Sequence, residues 1–336
     1  MVNNKIKWIL ITAALFLVLI LVSLLSLTSG EFEISLGQLL PFLLDPSSME
    51  YSVLMNIRLP RILLGIAVGG ILSMAGVVLQ GIYRNPLVEP YTLGISGGAA
   101  LGVSLSIVFQ LHIIIGAFML SLSGFAGAFV AIFLVYFLSM KKGSLSVNKM
   151  LLIGVMISFI ASSAMMFLLS VSTVEDVHSI VFWIMGSLEE SNTMLIYALL
   201  IGAFAGLLLV SLFVRELNAI RIGEDQARHL GINTGVVIRI LFVILSLLTG
   251  ICVSVVGIIG FVGLIIPHVV RLFVGTDFRI LLPCSFLGGG IFLIVCDIIA
   301  RTIISPNELP IGVITGILGG IFFIIILHRS KTLEKS

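Results

Sequence analysis

Charged side chains are scarce in this chain, and their scarcity limits where it can fold. Only 10% of the 336 residues are Asp, Glu, Lys or Arg, whereas 59% are hydrophobic, and the mean hydropathy is +1.27. Soluble domains carry about 25% charged residues. The composition therefore excludes a water-soluble globular protein and indicates a chain that resides in a lipid bilayer.

Motifs for covalent or metal chemistry are also missing. No stretch matches GxxxxGKS or GxxxxGKT, so the loop that cradles nucleotide phosphates is lacking, and there is no HExxH motif or histidine cluster. The three cysteines, Cys252, Cys284 and Cys296, have no paired spacing, which favours packing over a disulfide or a metal site. We therefore expect no catalytic residue, no bound cofactor and no metal site.

Long apolar stretches dominate instead. A spanning helix needs about 20 apolar residues, and ten stretches meet or approach that length, which predicts an all-α integral membrane protein with one transmembrane domain over residues 1–336. The predicted spans are Trp8–Leu27, Ile62–Ile82, Leu93–Phe109, Ile113–Phe137, Met150–Val171, Thr193–Val214, Val236–Val256, Ile258–Val274, Ile280–Ala300 and Ile311–Leu327. We interpret the first span as an anchor, because no small-residue cleavage site follows Leu27.

The placement of charge predicts the orientation. Basic residues in short loops favour the cytoplasm. With the amino terminus inside, every Lys and Arg except Arg58, Arg61 and Arg301 is cytoplasmic. Most acidic residues fall on the outer side: Glu31, Glu33, Asp45, Glu50, Glu175, Asp176, Glu189, Glu190, Asp297 and Glu308. We expect both termini in the cytoplasm and the protein in the cytoplasmic membrane.

Small residues and one polar segment complete the pattern. Gly65 with Gly69, and Gly312 with Gly316, have the four-residue spacing that lets helices approach closely. The segment 215–235, RELNAIRIGEDQARHLGINTG, is the one substantial hydrophilic stretch on the predicted inner side. A soluble partner would bind there.

Three motif blocks resemble one transporter family. The first contains an R-x-P-R start, an A-G-x-x-x-Q step and the run R-N-P-L-x-x-P-x-x-L-G. The residues are Arg58, Pro60 and Arg61; Ala75, Gly76 and Gln80; and Arg84, Asn85, Pro86, Leu87, Pro90, Leu93 and Gly94. The other two blocks are GIIGFVGLIIPHVVRL from Gly257 and DIIARTIISPNELPIGVITGILGG from Asp297. In this order they are similar to the permease family of ABC importers for iron-siderophores, haem and cobalamin.

This resemblance implies an assembly and a division of labour. The permease would pair with a second copy or a paralogue, bind two ATP-binding subunits inside, and accept a metal chelate from an extracytoplasmic substrate-binding protein. ATP and Mg would be used by the ATPase partner alone. No nucleic-acid partner is expected. The sequence does not separate siderophore, haem and cobalamin.

The three outward arginines match motif positions of the family, which implies that Arg58, Arg61 and Arg301 dock the receptor. Arginine suits this role because its planar guanidinium binds a carboxylate through two parallel hydrogen bonds. Two alternatives remain open, namely anchoring to phosphate headgroups and a helical pair between Asp297 and Arg301.

The inner segment resembles a coupling helix for the ATPase. Gly223 separates two short helical stretches, and Gly231 suits the end of the second. The predicted coupling residues are Glu224, Asp225, Ala227, Arg228, Leu230 and Gly231, with Ala227 and Leu230 on one face. A solvated loop is the alternative. The family also implies an inner gate in the loop Lys141–Lys149, with Ser146 and Val147 as candidates.

Two other function classes predict features that are not apparent. An ion-coupled secondary transporter would need a carboxylate midway along a span. A membrane enzyme would need clustered histidine and acidic residues near one face. Neither pattern is visible in the sequence.

Overall fold

The computed structural model describes residues 2–30, 34–141, 144–190 and 192–333. Glu31, Glu33, Lys142 and Lys335, which the charge argument used, lie outside these ranges. The α-helices are α1 Val2–Thr28, α2 Leu39–Leu43, α3 Met49–Val53, α4 Leu59–Tyr83, α5 Ile95–Val108, α6 Leu111–Ile115, α7 Phe118–Ser139, α8 Val147–Val171, α9 Val174–Met185, α10 Thr193–Ser211, α11 Val214–Ile222, α12 Glu224–His229, α13 Thr234–Val256, α14 Val262–Val274, α15 Phe278–Thr302 and α16 Ile311–Leu333.

Short elements complete the backbone. Leu36–Gln38 and Pro90–Leu93 form 3-10 turns, and a π-helical turn, Leu54–Arg58, joins α3 to α4. Strands β1 Met140–Lys141 and β2 Ser144–Leu145 pair antiparallel. The all-α prediction is confirmed apart from this two-residue strand pair.

Ten helical segments correspond to the ten predicted spans. In the described residues, seven helices are long and apolar enough to cross a membrane. Shorter apolar helical stretches occupy Ile95–Val108, Val262–Val274 and, within α16, Ile311–Ile325. At 1.5 Å per residue, the 13 residues of α14 extend about 20 Å, less than the ~30 Å hydrocarbon core. Helices α5, with 14 residues, and α14 therefore extend over about two-thirds of the hydrocarbon core.

Helix α4 lies at the centre of the molecule. Almost all of its side chains are buried, and it packs against α10, α14 and α15. The contact with α15 is closest at Gly69 and Gly289, where a Cβ built on Gly69 would lie 2.2 Å from the Gly289 carbonyl oxygen. Only glycine at both positions allows this approach of two backbones.

The two predicted glycine pairs have different outcomes. Gly65 and Gly69 both face α15, at Ile294 and Gly289, so the first pair packs as predicted. Gly312 faces the carbonyl of Met185, but a Cβ on Gly316 would meet nothing within 4 Å. The second pair is thus a packing site at one glycine only.

One outer element was not predicted. The loop Ser172–Asn192 contains the 12-residue helix α9. Its start is capped by Thr173, whose hydroxyl accepts from the Asp176 amide at 3.2 Å and donates to the Asp176 carboxylate at 2.9 Å. This reciprocal cap is a local signal that hydropathy does not detect.

Replacing Gly69 by alanine should destabilise the chain strongly, because the added methyl group would overlap the Gly289 backbone. The control is Gly316→Ala, which meets open space and gains the helix propensity of alanine, about 1 kcal/mol. We expect thermal unfolding in detergent to occur at a lower temperature for Gly69→Ala and not for Gly316→Ala. Equal Tm values for both variants would contradict the close approach.

Candidate functional site

Six charged side chains meet at the predicted outer end, and we call them the outer charge cluster. Its members are Arg58, Arg61, Glu189, Asp297, Arg301 and Glu308. They come from the start of α4, the end of α15 and the loops that precede α10 and α16. Sequence positions far apart therefore converge on one site.

Arg61 forms the centre of the cluster. Its Nη2 atom donates to the Glu189 carboxylate and, at 2.7 Å, to Glu308, while Nη1 lies 3.5 Å from Asp297. Its side chain is only 6% exposed. A guanidinium removed from water in this way needs carboxylates close by, because an unpaired buried charge is strongly destabilising.

Arg301 ties the cluster to α1. Its Nε donates to Asp297 at 2.9 Å, and its Nη atoms donate to the Ser26 hydroxyl at 2.9 Å and to the Ser29 carbonyl at 3.2 Å. The helical pair of Asp297 and Arg301, raised above as an alternative, is therefore present. Such a pair fixes the two side chains on one face of α15.

The three outward arginines are buried. Arg58 donates to the Leu27 carbonyl, and Arg58, Arg61 and Arg301 are each less than one-tenth exposed. The sequence argument placed them on the outer side and raised the Asp297–Arg301 pair, but it did not predict that three carboxylates of the same chain surround Arg61. Their role in receptor docking remains a prediction.

The carboxylates of Glu189 and Glu308 lie on the solvent side of Arg61. Their side chains are 60% and 43% exposed. Desolvation raises the pKa of the Glu189 carboxyl, and the Arg61 guanidinium opposes that shift. A cavity of about 370 Å³ adjoins this point and is lined by Asn56, Ile57, Pro60, Arg61, Leu188, Glu189 and Glu190. The buried guanidinium is thus accessible through a polar recess.

The predicted inner end presents two short helices, α11 and α12, separated at Gly223 as expected. Gly231 ends α12 with φ +81°, and the Ile232 amide donates to the Ala227 carbonyl at 3.1 Å, a Schellman motif. Glu224 accepts from Arg228 at 2.6 Å and from the Thr234 hydroxyl at 3.1 Å, which ties α12 to α13.

One detail of the coupling prediction is wrong. Ala227 is fully buried, whereas the Leu230 side chain is 69% exposed, so the two do not share a face. Leu230 is the C-cap residue of α12 and lies beyond the last regular turn. Ile222, 67% exposed, is a second exposed apolar side chain of the segment, which the sequence argument missed. Asp225 is also exposed.

Helix α11 connects this surface to the centre of the fold. The Asn218 amide group donates to Asp277 at 2.9 Å, and the Phe278 backbone amide donates to Asn218 at 3.2 Å. Asp277 is the N-cap of α15, the helix that packs on α4. A displacement of α11 would therefore reach α15 directly.

The candidate gate residues lie where α8 begins. Ser146 is the N-cap of α8, its amide donates to the Ser139 carbonyl at 3.3 Å, and Val147 packs partly buried against the main core. Residues 142–143 of the loop lie outside the described ranges. A gating role for Ser146 and Val147 stays a prediction.

A broken segment joins α13 to α14 at mid-depth of the molecule. Residues 257–261 are not helical, and Phe261 has φ +69°. A Cβ on Gly263 would lie 2.7 Å from the carbonyl of Leu72 and 2.9 Å from the Pro90 ring, and Leu72 is midway along α4. In a bilayer the free amides of such a segment need acceptors from the protein itself.

Residues 89–91 supply those acceptors. The Glu89 carboxylate accepts from the Phe261 amide at 3.3 Å, and the Tyr91 hydroxyl accepts from the Ile259 amide at 3.3 Å. Glu89 lies in the turn between α4 and α5 and not within a span, so this carboxylate falls outside the expectation about charges in spans. Hydropathy missed it because Glu89 belongs to a turn between spans that folds back to mid-depth. Two motif blocks of the sequence meet here.

Removing the Glu89 carboxylate should leave the Phe261 amide without its acceptor. We expect Glu89→Ala to lower the free energy of unfolding by about 1–3 kcal/mol, and Glu89→Gln, which keeps an acceptor oxygen, to lose less. Thermal unfolding in detergent measures both. Glu175→Ala, at an exposed carboxylate of α9, is the control and should have no effect. Equal losses for Glu89→Ala and Glu89→Gln would indicate that charge, and not the hydrogen bond, is what matters.

Known sequences match nearly the whole chain. The pattern of the FecCD transport family covers residues 17–329. The hemin transport system permease protein HmuU of Yersinia pestis is 34% identical over 333 residues, which cover 98% of this chain and 98% of that protein. The cobalamin import system permease protein BtuC of Halobacterium salinarum is 39% identical over 273 residues, covering 81% and 72%.

A solved structure has the same fold. It is described as an inward-facing conformation of a metal-chelate type ABC transporter. The TM-score is 0.86 with 32% sequence identity, and the superposition covers 95% of this chain and 99% of that one.

Proposed function

The chain belongs to the FecCD transport family, and on that basis we propose that its cargo is iron held in an organic chelate, such as a siderophore or haem, or a related chelate such as cobalamin. Membership makes the chain the permease subunit of an ABC importer, a multi-pass protein of the cytoplasmic membrane that is not itself catalytic. A partner ATPase consumes the ATP. An ion-coupled secondary transporter is thereby excluded.

The match over residues 17–329, together with relatives named for hemin and cobalamin, carries the cargo proposal. Uptake into proteoliposomes that contain permease, ATPase and receptor tests it with labelled siderophore, haem and cobalamin in parallel. ATP-dependent accumulation of one chelate supports the proposal. Accumulation of a bare oxyanion such as molybdate, and of none of the chelates, would overturn the cargo class.

We extend the proposal to the assembly that membership of this family implies. The permease pairs with a second copy or a paralogue, two ATP-binding subunits attach at the inner end, and an extracytoplasmic binding protein delivers the chelate at the outer end. Ser146 and Val147, at the start of α8, belong to the inner gate of the passage between the two permeases.

Receptor docking is assigned to the outer charge cluster, with Arg58, Arg61 and Arg301 as its cations. Arg61 supports this role most directly, because it adjoins the cavity beside Glu189. A receptor carboxylate that enters this cavity would meet a guanidinium held in place by α4 and α15. Because the arginines are buried, they are preorganised and lose little side-chain entropy on docking.

Arg61→Gln should weaken receptor binding at least tenfold, since a charge-assisted pair at a desolvated site is worth about 1.5–3 kcal/mol. The affinity of the binding protein for the complex in nanodiscs measures this. The double variant Arg61→Gln with Glu189→Gln keeps the cluster neutral. A loss of receptor affinity in this variant therefore reports docking and not misfolding. The control is Arg215→Gln, at an exposed inner arginine, which should bind receptor normally. Unchanged receptor affinity in the double variant would refute docking at Arg61.

Coupling to the ATPase is assigned to α12 and its flanks, through Glu224, Asp225, Ala227, Arg228, Leu230 and Gly231. The exposed Leu230 and Ile222 provide apolar contacts, while the internal bonds of Glu224 and Arg228 keep the segment rigid. Rigidity matters because a segment that yields cannot transmit a displacement to α13 and α15.

Leu230→Asp should abolish the stimulation of ATPase activity by receptor and leave permease folding intact, because the side chain is exposed. The measurement is ATP hydrolysis by the reconstituted complex with and without receptor. Asn233→Asp is the matched control, since it adds the same charge nearby and aspartate still caps α13. Normal stimulation in Leu230→Asp would contradict the coupling assignment.

A further inference from the structure

Arg61 has more acidic partners than its charge requires. Three carboxylates, from Glu189, Glu308 and Asp297, lie within 3.5 Å of one guanidinium. Asp297 is already paired with Arg301 at 2.9 Å. The remaining two acids therefore share Arg61 between them, and one of them could leave without stranding the cation.

The two acids differ from Arg61 in exposure. Glu189 and Glu308 reach solvent, whereas the guanidinium does not. An exposed carboxylate loses little free energy when it is released into water. A buried cation, in contrast, must always retain a partner. Exchange of one carboxylate for another therefore costs less free energy at this site than opening the ion pair and leaving Arg61 without a partner.

The recess beside Arg61 gives an incoming carboxylate a route. It is lined by two parts of the chain: Asn56, Ile57 and Pro60, which lead into α4, and Leu188, Glu189 and Glu190, which precede α10. A side chain entering between them reaches the guanidinium on the side that Glu189 occupies. Of the two exposed acids, only Glu189 lines this cavity, which makes it the one to be displaced.

We infer that Glu189 occupies the place on Arg61 that an acidic side chain of the solute receptor takes on docking, so that docking exchanges one carboxylate for another and releases the chain around Glu189. This inference rests on the proposed function, because it needs a receptor that docks at Arg61. Glu189 is thus an internal competitor that lowers receptor affinity in the resting permease.

Release at Glu189 would act on the membrane-spanning helices. The Ser187 amide donates to the Val256 carbonyl at the end of α13 at 2.9 Å, and the Ile311 amide at the start of α16 donates to the Gly186 carbonyl at 3.2 Å. Gly186 also packs against Gly257, where the broken segment begins. The displaced chain is therefore bonded to α13, which ends at the break, and to α16.

The test compares two neighbouring acids in the complete transporter in nanodiscs. Glu189→Gln removes the charge on Arg61. Glu190→Gln removes an equal charge from the same cavity, but among the described residues the bond of the Glu190 carboxylate is to the Asn192 amide, at 2.7 Å, and not to Arg61. The probe is the substrate-free binding protein that stimulates the ATPase. Its affinity is measured at 0.15 M salt, where the Debye length of about 8 Å limits long-range steering.

We expect Glu189→Gln to bind receptor about three- to tenfold more tightly, and Glu190→Gln to stay within about twofold of the parent. The gain should vanish when Arg61→Gln is also present, as a double-mutant cycle requires of residues that act together. Equal gains in both variants would mean general charge repulsion and would overturn the exchange. Unchanged or weaker binding in Glu189→Gln would overturn it as well.

Failure of the exchange is distinguishable from failure of the docking proposal. If Arg61→Gln weakens receptor binding while Glu189→Gln leaves it unchanged, the receptor docks at Arg61 without displacing Glu189, and only the exchange is wrong. If Arg61→Gln has no effect on receptor binding, docking at the cluster is wrong, and the exchange is overturned together with it.

Discussion

The backbone contact between Gly69 of α4 and Gly289 of α15 is the constraint on which the arrangement of charge depends. The two helices run in opposite directions, so moving the same eight residues toward the outer end leads to Arg61 on one helix and Asp297 on the other. Close approach at the glycines therefore brings a cation and an anion together at the outer end. Any larger residue at the crossing would separate them.

The same pair of helices extends to the inner end. Gln80 of α4 donates to the Gly263 carbonyl at 3.1 Å and accepts from Arg271 at 2.9 Å, which fixes α14, while Asp277 joins α15 to α11. A central helix pair thus connects the outer charge cluster with the inner segment. This geometry suits a subunit that transmits force and performs no chemistry.

The break between α13 and α14 is the place where the fold departs from regular spans. Lipid offers no hydrogen-bond acceptor to the amides of this segment. The acceptors are the carboxylate of Glu89 and the hydroxyl of Tyr91, from a turn that returns to mid-depth. Gly186 and the start of α16 contact the same segment from the outer side. The outer loop and the membrane break therefore form one connected unit.

The sequence by itself determined the ten helical segments, the excess of acids on the outer side, the three outward arginines, and two short inner helices, the second of which ends at Gly231. Each of these depends on apolar length, residue type or a local cap, which are properties of neighbouring residues. Only the tertiary structure decided that Arg61 is enclosed by Glu189 and Glu308, that Ala227 faces inward, and that Glu89 lies at mid-depth. Those facts depend on which distant segments pack together, and packing of distant segments leaves no periodic signal along the chain.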